Sequence, residues 1–310
     1  MESNVMRFTD WLKSRNLPHD DMTQVTFPIC RDYRDARRAE IDALLEKDQD
    51  LTAYRARLKT LSNHLGGLKA LFGVALEDRH LTINPFAGLT WDHGGGNTRP
   101  DFADEEIVRI LRLARESQDP VIKWGTLLGA YGGEQNEELA DLHARDIEHI
   151  RGVWMLHIRE DNRTPNQRLK TPNRTRMVPL HSAILDAGFL KFVESVGDRP
   201  LFHHLKLDGY GRRSSEFTVK INEWLHEVAK TDKTFYSHRH RVTSILRNTL
   251  GLDRKPAVDP DIRRYLLGHG KEDVHAGYGE SWAATLRAAI EIIPDPLKTS
   301  ATDILAEMAE

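Results

Sequence analysis

The sequence predicts a mainly α-helical chain with one small antiparallel β-sheet, an α+β protein in two domains. Leu58, Leu61, Leu65, Leu68, Leu71, Phe72 and Ala75 recur at spacings of three and four, which lines one face of a long helix. Only two short runs, Val153 to Ile158 and Arg176 to Leu180, have the β-branched and apolar character of strands. Three consecutive glycines, Gly94 to Gly96, separate the helical N-terminal part from the rest. Such a tract loses much entropy on ordering and packs nothing, so it marks a linker. At 310 residues the chain also exceeds what one core usually needs.

The elements follow in order. Phe8, Trp11 and Leu12 predict a first amphipathic helix, and Ile41, Leu44 and Leu45 a second after the arginine-rich stretch Arg31 to Arg38. The long helix from Leu51 to about Leu81 stops at Asn84-Pro85, because a residue before proline is biased out of the helical region. The first domain is expected over 1–93, the linker over 94–101, and a second domain over 102–280. Helices are predicted at 104–114, at 121–131 and from about Gln135. The two β runs follow, with a polar Thr-Pro-Asn segment between them. Further helices are expected at 183–195, 216–229, 238–250, 259–267 and 281–293. The tail, 281–310, carries Trp282, Leu286, Ile290, Ile292, Ile293 and Leu305 at helical spacings, and is expected to contact a neighbouring protomer.

Composition narrows the function. A hydrophobic content of 39% with 29% charged residues fits a globular protein, and no apolar run approaches the roughly 20 residues of a membrane span. The N-terminus lacks a basic flank followed by an apolar core, so no signal peptide is expected. Cys30 is the only cysteine, which excludes an internal disulfide and fits a reducing cytoplasm. It is expected to be a buried small residue. The net charge of −3 argues against a uniformly basic coat. Charge is uneven, however: residues 151–180 carry Arg151, Arg159, Arg163, Arg168, Lys170, Arg174 and Arg176 against Glu160 and Asp161. That excess suits an anionic partner such as duplex DNA.

The most informative stretch is 265–279, in which Leu267-Gly268-His269 precedes Tyr278. A glycine-flanked tyrosine soon after such a turn presents a phenol with an imidazole close by. With Arg239 and Lys170 upstream it points to phosphoryl transfer on DNA. Cutting a phosphodiester with a protein nucleophile needs a hydroxyl in line with the leaving oxygen, cations on the non-bridging oxygens and an acid for the departing 5′-hydroxyl. Arginine suits the second task because its planar fork grips two oxygens.

Four boxes in order resemble the catalytic domain of the tyrosine recombinase family, the phage integrases and their chromosomal relatives. Gly133-Glu134-Gln135-Asn136-Glu137-Glu138-Leu139 aligns with the Gly-x-Arg-x-x-Glu box. Lys170-Thr171 leading to Val178-Pro179-Leu180 matches the hairpin lysine segment, and Tyr236-Ser237-His238-Arg239-His240 the His-x-x-Arg-His box. Leu267-Gly268-His269 with Tyr278 matches the last. The N-terminal part is similar to the family's helical core-binding domain, chiefly through Leu71 to Ala75 running into Asn84-Pro85.

The resemblance implies that Tyr278 is the nucleophile, forming a 3′-phosphotyrosine and releasing a 5′-hydroxyl. Arg239 would hold the scissile phosphate, Lys170 would protonate the leaving oxygen, and His269 would hydrogen-bond a non-bridging oxygen. Glu138 would orient the first-box residue, and His240 completes the arginine box. Tyr236 stands where the family usually has histidine; its phenol can still donate to phosphate. Gln135 replaces the first-box arginine, and losing one transition-state donor typically costs about 10² to 10³ in rate. A strongly reduced activity is therefore expected.

The implied function is site-specific recombination, integrating or excising a mobile element as a tetramer on paired duplex sites, with accessory DNA-bending or directionality factors as further partners. No cofactor or metal is expected, since the phosphotyrosine conserves the bond energy. Two rival readings stand beside it: a recombinase-like protein that binds and synapses DNA without cutting, and a type IB topoisomerase.

Overall fold

The computed structural model describes residues 2–89, 101–159, 175–269 and 281–298. The expected linker, Lys170 and Tyr278 lie outside the described residues. The chain divides into two compact units, Met1–Thr98 and Arg99–Glu310.

The first unit is built from α1 (Glu2–Ser14), α2 (Phe27–Asp48) and α3 (Leu51–Glu77). Pro28 lies in the first turn of α2, where its missing N–H costs nothing. Asp50 caps α3 by accepting from the backbone of Thr52 and Ala53. The predicted face of α3 is the one that is buried: Leu58, Leu61, Leu65, Leu68 and Phe72 pack with Phe8, Leu12, Cys30, Tyr33 and Phe86. Cys30 is buried as expected. α3 closes at Glu77, earlier than the expected stop at Asn84-Pro85, with Arg79 left-handed (φ 60°); beyond it the Asn84 side chain donates to Lys69 O at 2.8 Å and accepts from Phe86 N at 2.9 Å, a built turn. The arginines of α2 are matched along the helix surface: Arg31 with Asp32, Arg34 with Asp35, Arg37 with Glu40 and Arg38 with Asp42.

The second unit surrounds α5 (Thr126–Gly132), whose every residue is buried. A π-helical turn over Val121–Gly125 leads into it. Two glycines let neighbours approach closely: a Cβ on Gly129 would lie 2.6 Å from the Phe235 ring, and one on Gly125 2.8 Å from Phe217. α4 (Asp104–Glu116) and α10 (Tyr236–Asn248) pack on α5, while the short α6 (Asn136–Ala140) and α9 (Ser214–Glu227) pack on the π-helical turn and on each other.

The sheet has one strand more than the sequence predicts. β1 (Ile147–Ile150), β2 (Val153–Ile158) and β3 (Arg176–Pro179) form an antiparallel sheet in the order β1-β2-β3. β1 alternates Ile, Glu, His, Ile, too short a pattern to register as a strand. Its hairpin to β2 is a two-residue turn with both Arg151 (φ 51°) and Gly152 (φ 80°) left-handed. The single helix expected at 183–195 is two, α7 (Ser182–Asp186) and α8 (Phe189–Val196), divided by Gly188 at φ 89°.

The remaining described helices are α11 (Pro260–Leu266) and α12 (Trp282–Ile290). The first part of the tail packs within the second unit. Trp282, Leu286, Ile290 and Ile293 are buried in the second unit's own core, with α12 against α11, β2 and β3. The following turn is anchored too: Tyr131 donates to Asp295 at 2.6 Å, and Ser182 to Glu291 at 2.8 Å. The helical apolar spacing of 282–293 is thus satisfied within the chain, leaving Leu305 as the one singled-out apolar residue outside the described residues.

Candidate active site

Three segments distant in sequence meet in the second unit. α5 ends at Gly133, which is left-handed (φ 73°) and turns the chain into Glu134 and Gln135. Gln135 is the residue preceding α6, and its backbone N–H donates to Glu138 Oε2 at 2.9 Å, closing the first turn of that helix. The second segment is the start of α10, with Tyr236, Arg239 and His240. The third is the turn after α11, where Gly268 (φ 65°) lets His269 N reach back to Arg264 O at 2.8 Å.

Arg239 binds these segments together. Its Nη1 donates to Gly133 O at 2.8 Å, its Nη2 to Leu267 O, and Nη2 lies 3.1 Å from His269 Nε2. Guanidinium can only donate, so His269 Nε2 is the acceptor and that ring carries its proton on Nδ1. Of the residues singled out by sequence, Arg239, His269 and the backbone of the first box therefore converge. Tyr236 and His240 stack edge to face on the outer side of the same helix, ring centroids 4.9 Å apart, with Tyr236 38% exposed.

Glu138 does not spend its carboxylate on the Gln135 backbone N–H alone. Its Oε1 and Oε2 take a two-pronged pair from Arg176 of β3, at 2.8 and 2.9 Å, both side chains almost completely buried. Arg176 Nε also donates to Leu266 O at 2.9 Å. A Cβ on Gly268 would come within 2.8 Å of Arg176 Nη1, so the turn needs glycine for its backbone angle and for this guanidinium. Burial alone would raise the Glu138 pKa, but the charge and hydrogen bonds of Arg176, with the Gln135 N–H, hold it below the ordinary carboxylate value.

Glu134 behaves in the opposite way. It is fully buried, its Oε2 has no hydrogen-bond partner, and desolvation pushes its pKa up to about 7 despite the nearby Arg176 and Arg239. His238, beside Arg239 on α10, is likewise sealed in. Its ring lies 4.7 Å from Phe102 and 5.6 Å from Phe235 with neither nitrogen bonded, and burial lowers its pKa to about 3.

Sequence reasoning missed Arg176 and Glu134. Arg176 stood in a run of seven basic residues with nothing to distinguish it except alternation. It shares a strand face with Val178, and that face is inward. Of that basic run, Arg159 is also matched, to Asp146 and Glu148. Among the described residues no cluster of three or more His, Cys, Asp or Glu could hold a metal ion.

No protein-family model matches the chain, and no curated protein matches it. Solved structures do. The integrase of the Tn1549 transposon, solved with transposon right end DNA, is 18% identical with a TM-score of 0.53, covering 99% of this chain and 92% of that one. A lambda integrase dimer bound to a COC′ core site is 16% identical with a TM-score of 0.52, covering 93% of this chain and 77% of that one. The arrangement of helices around a small antiparallel sheet is the fold of the phage and transposon tyrosine recombinase integrases.

Proposed function

We propose that this chain is a site-specific DNA recombinase that cuts and rejoins duplex DNA through a 3′-phosphotyrosine, integrating or excising a mobile element in the cytoplasm. The observation that carries the reading is Arg239, buried and held by Gly133 O, Leu267 O and His269 on an integrase fold. A guanidinium fixed by backbone carbonyls is oriented in advance, so once uncovered to the phosphate it stabilises the developing charge of a pentavalent phosphorane.

In the reaction the Tyr278 phenol gives up its proton to solvent water and its oxygen attacks the phosphorus, forming a P–O bond as the bond to the 5′-oxygen breaks. Lys170 gives that oxygen its proton, and His269 and Tyr236 contact non-bridging oxygens. Attack by a free 5′-hydroxyl on the phosphotyrosine reverses the step and joins the strands. The protein acts as a tetramer on paired sites, as its resemblance to the family implies. Gln135 itself supplies neither charge nor fork to the phosphate.

Gln135 also favours a second reading, a protein of this fold that binds and synapses DNA without cutting. Covalent trapping on nicked suicide duplexes separates the two. Trapped product that Gln135→Arg increases and Tyr278→Phe abolishes supports the recombinase. Duplex binding with no trapped product from either the parent or Gln135→Arg supports the non-cutting protein.

A further inference from the structure

We propose that Arg176 supplies the second cation at the scissile phosphate, in the role for which the sequence offers only Gln135. The inference rests on the recombinase reading and deepens it. Glu138 is the carboxylate that the first box provides to orient its own residue, and in the structure that carboxylate grips Arg176 through both oxygens. The guanidinium therefore reaches the first-box carboxylate from β3 instead of from the residue before α6.

Three further features place Arg176 with Arg239. Both guanidinium groups are fixed to the same turn, Arg176 through Leu266 O and Arg239 through Leu267 O. Arg176 packs directly on Gly268, the residue before His269, so the two arginines and the imidazole border one another. Arg176 and Arg239 are equally buried at 3% exposure. Whatever uncovers Arg239 for phosphate thus acts on a pocket that contains both.

The local charge is consistent with the role. Glu138 is ionised and offsets one guanidinium. With Glu134 protonated, the four side chains carry one net positive charge; with Glu134 ionised they carry none. Without Arg176 the same pocket would be neutral with Glu134 protonated and carry one negative charge with Glu134 ionised, so Arg176 supplies the net positive charge.

The test is covalent trapping on nicked suicide duplexes, drawn from source genomic DNA and from a pool of randomised sequence, with thermal melting of every variant. Arg176→Gln is expected to lower Tyr278-dependent trapping by about 10² or more, and Arg176→Lys by about tenfold, because lysine keeps the charge without the fork. Gln135→Arg in the parent is expected to gain less than about tenfold, since the cation is already present. In Arg176→Gln it should recover trapping to the parent level, because the new arginine can pair with Glu138 from the other side.

Unchanged trapping in Arg176→Gln overturns the proposal. So does a double variant that melts like the parent yet traps no more than Arg176→Gln, which would make Arg176 a structural tie. If Arg176→Gln fails to fold, the double variant against the parent and Arg176→Lys decides the same question. If neither the parent nor Gln135→Arg gives product that Tyr278→Phe removes, the recombinase reading itself fails and this inference falls with it.

Discussion

The two units place their arginines in opposite settings. Along α2 of the first unit, Arg31 and its neighbours lie at the surface, each beside an acidic residue of the same helix. In the second unit Arg176 and Arg239 are buried and fixed by backbone carbonyls and a carboxylate. Solvated pairs exchange partners at little cost, whereas a buried guanidinium holds one geometry because any other leaves it desolvated and unbonded. The number of basic residues in a segment is therefore a poor guide to where an anion can be held; burial and fixed partners decide it.

The contrast makes graded predictions. Glu138→Ala should break it most severely, leaving Arg176 buried without its carboxylate and destabilising the second unit by about 3–5 kcal/mol in denaturant melts. A loss below about 1 kcal/mol would mean the pair is effectively solvated.

Glu134→Gln should sharpen the contrast through pH. The Glu134 pKa is raised from 4.5 to about 7 in the folded state, so the folded protein binds the proton more tightly than the unfolded chain. Stability should fall as pH rises through that interval. The glutamine variant should be more stable than the parent at pH about 8, by on the order of 2–3 kcal/mol, and equal to it at about pH 4. Melting curves of both proteins across that range check it, and parallel curves would show that Glu134 is not desolvated.

The smallest effect should come from α2. Arg31→Ala is expected to change stability by no more than about 0.5 kcal/mol, because the Arg31–Asp32 pair is more than half exposed on both sides. A larger loss would remove the distinction between the units.

Much of this was legible in the sequence. The stripe from Leu58 to Ala75 and the late strands each follow a local rule, and such rules survive folding; the helix end does not, since α3 closes at Glu77 through a left-handed Arg79 before Pro85 can act. Arg239 and His269 were legible because their boxes are contiguous. Arg176 was not, because its meaning depends on Glu138, 38 positions away, and on the backbone of Leu266, 90 positions away. The α12 stripe was legible as apolar but ambiguous in partner: the same spacing serves a neighbouring protomer or the chain's own sheet, and only packing distinguishes them. β1 escaped notice because four residues give too few alternations to outweigh the charged Glu148 between them.

His238 adds a consequence when set beside Glu134. Its pKa is lowered from 6.5 to about 3, so stability is lost as pH falls through that interval, while Glu134 loses stability as pH rises from 4.5 to about 7. Between 4.5 and 6.5 the two slopes run in opposite directions and largely cancel. These two buried groups thus titrate antagonistically, each concealing the other's contribution over that interval, and substituting either one alone would expose the slope of its partner.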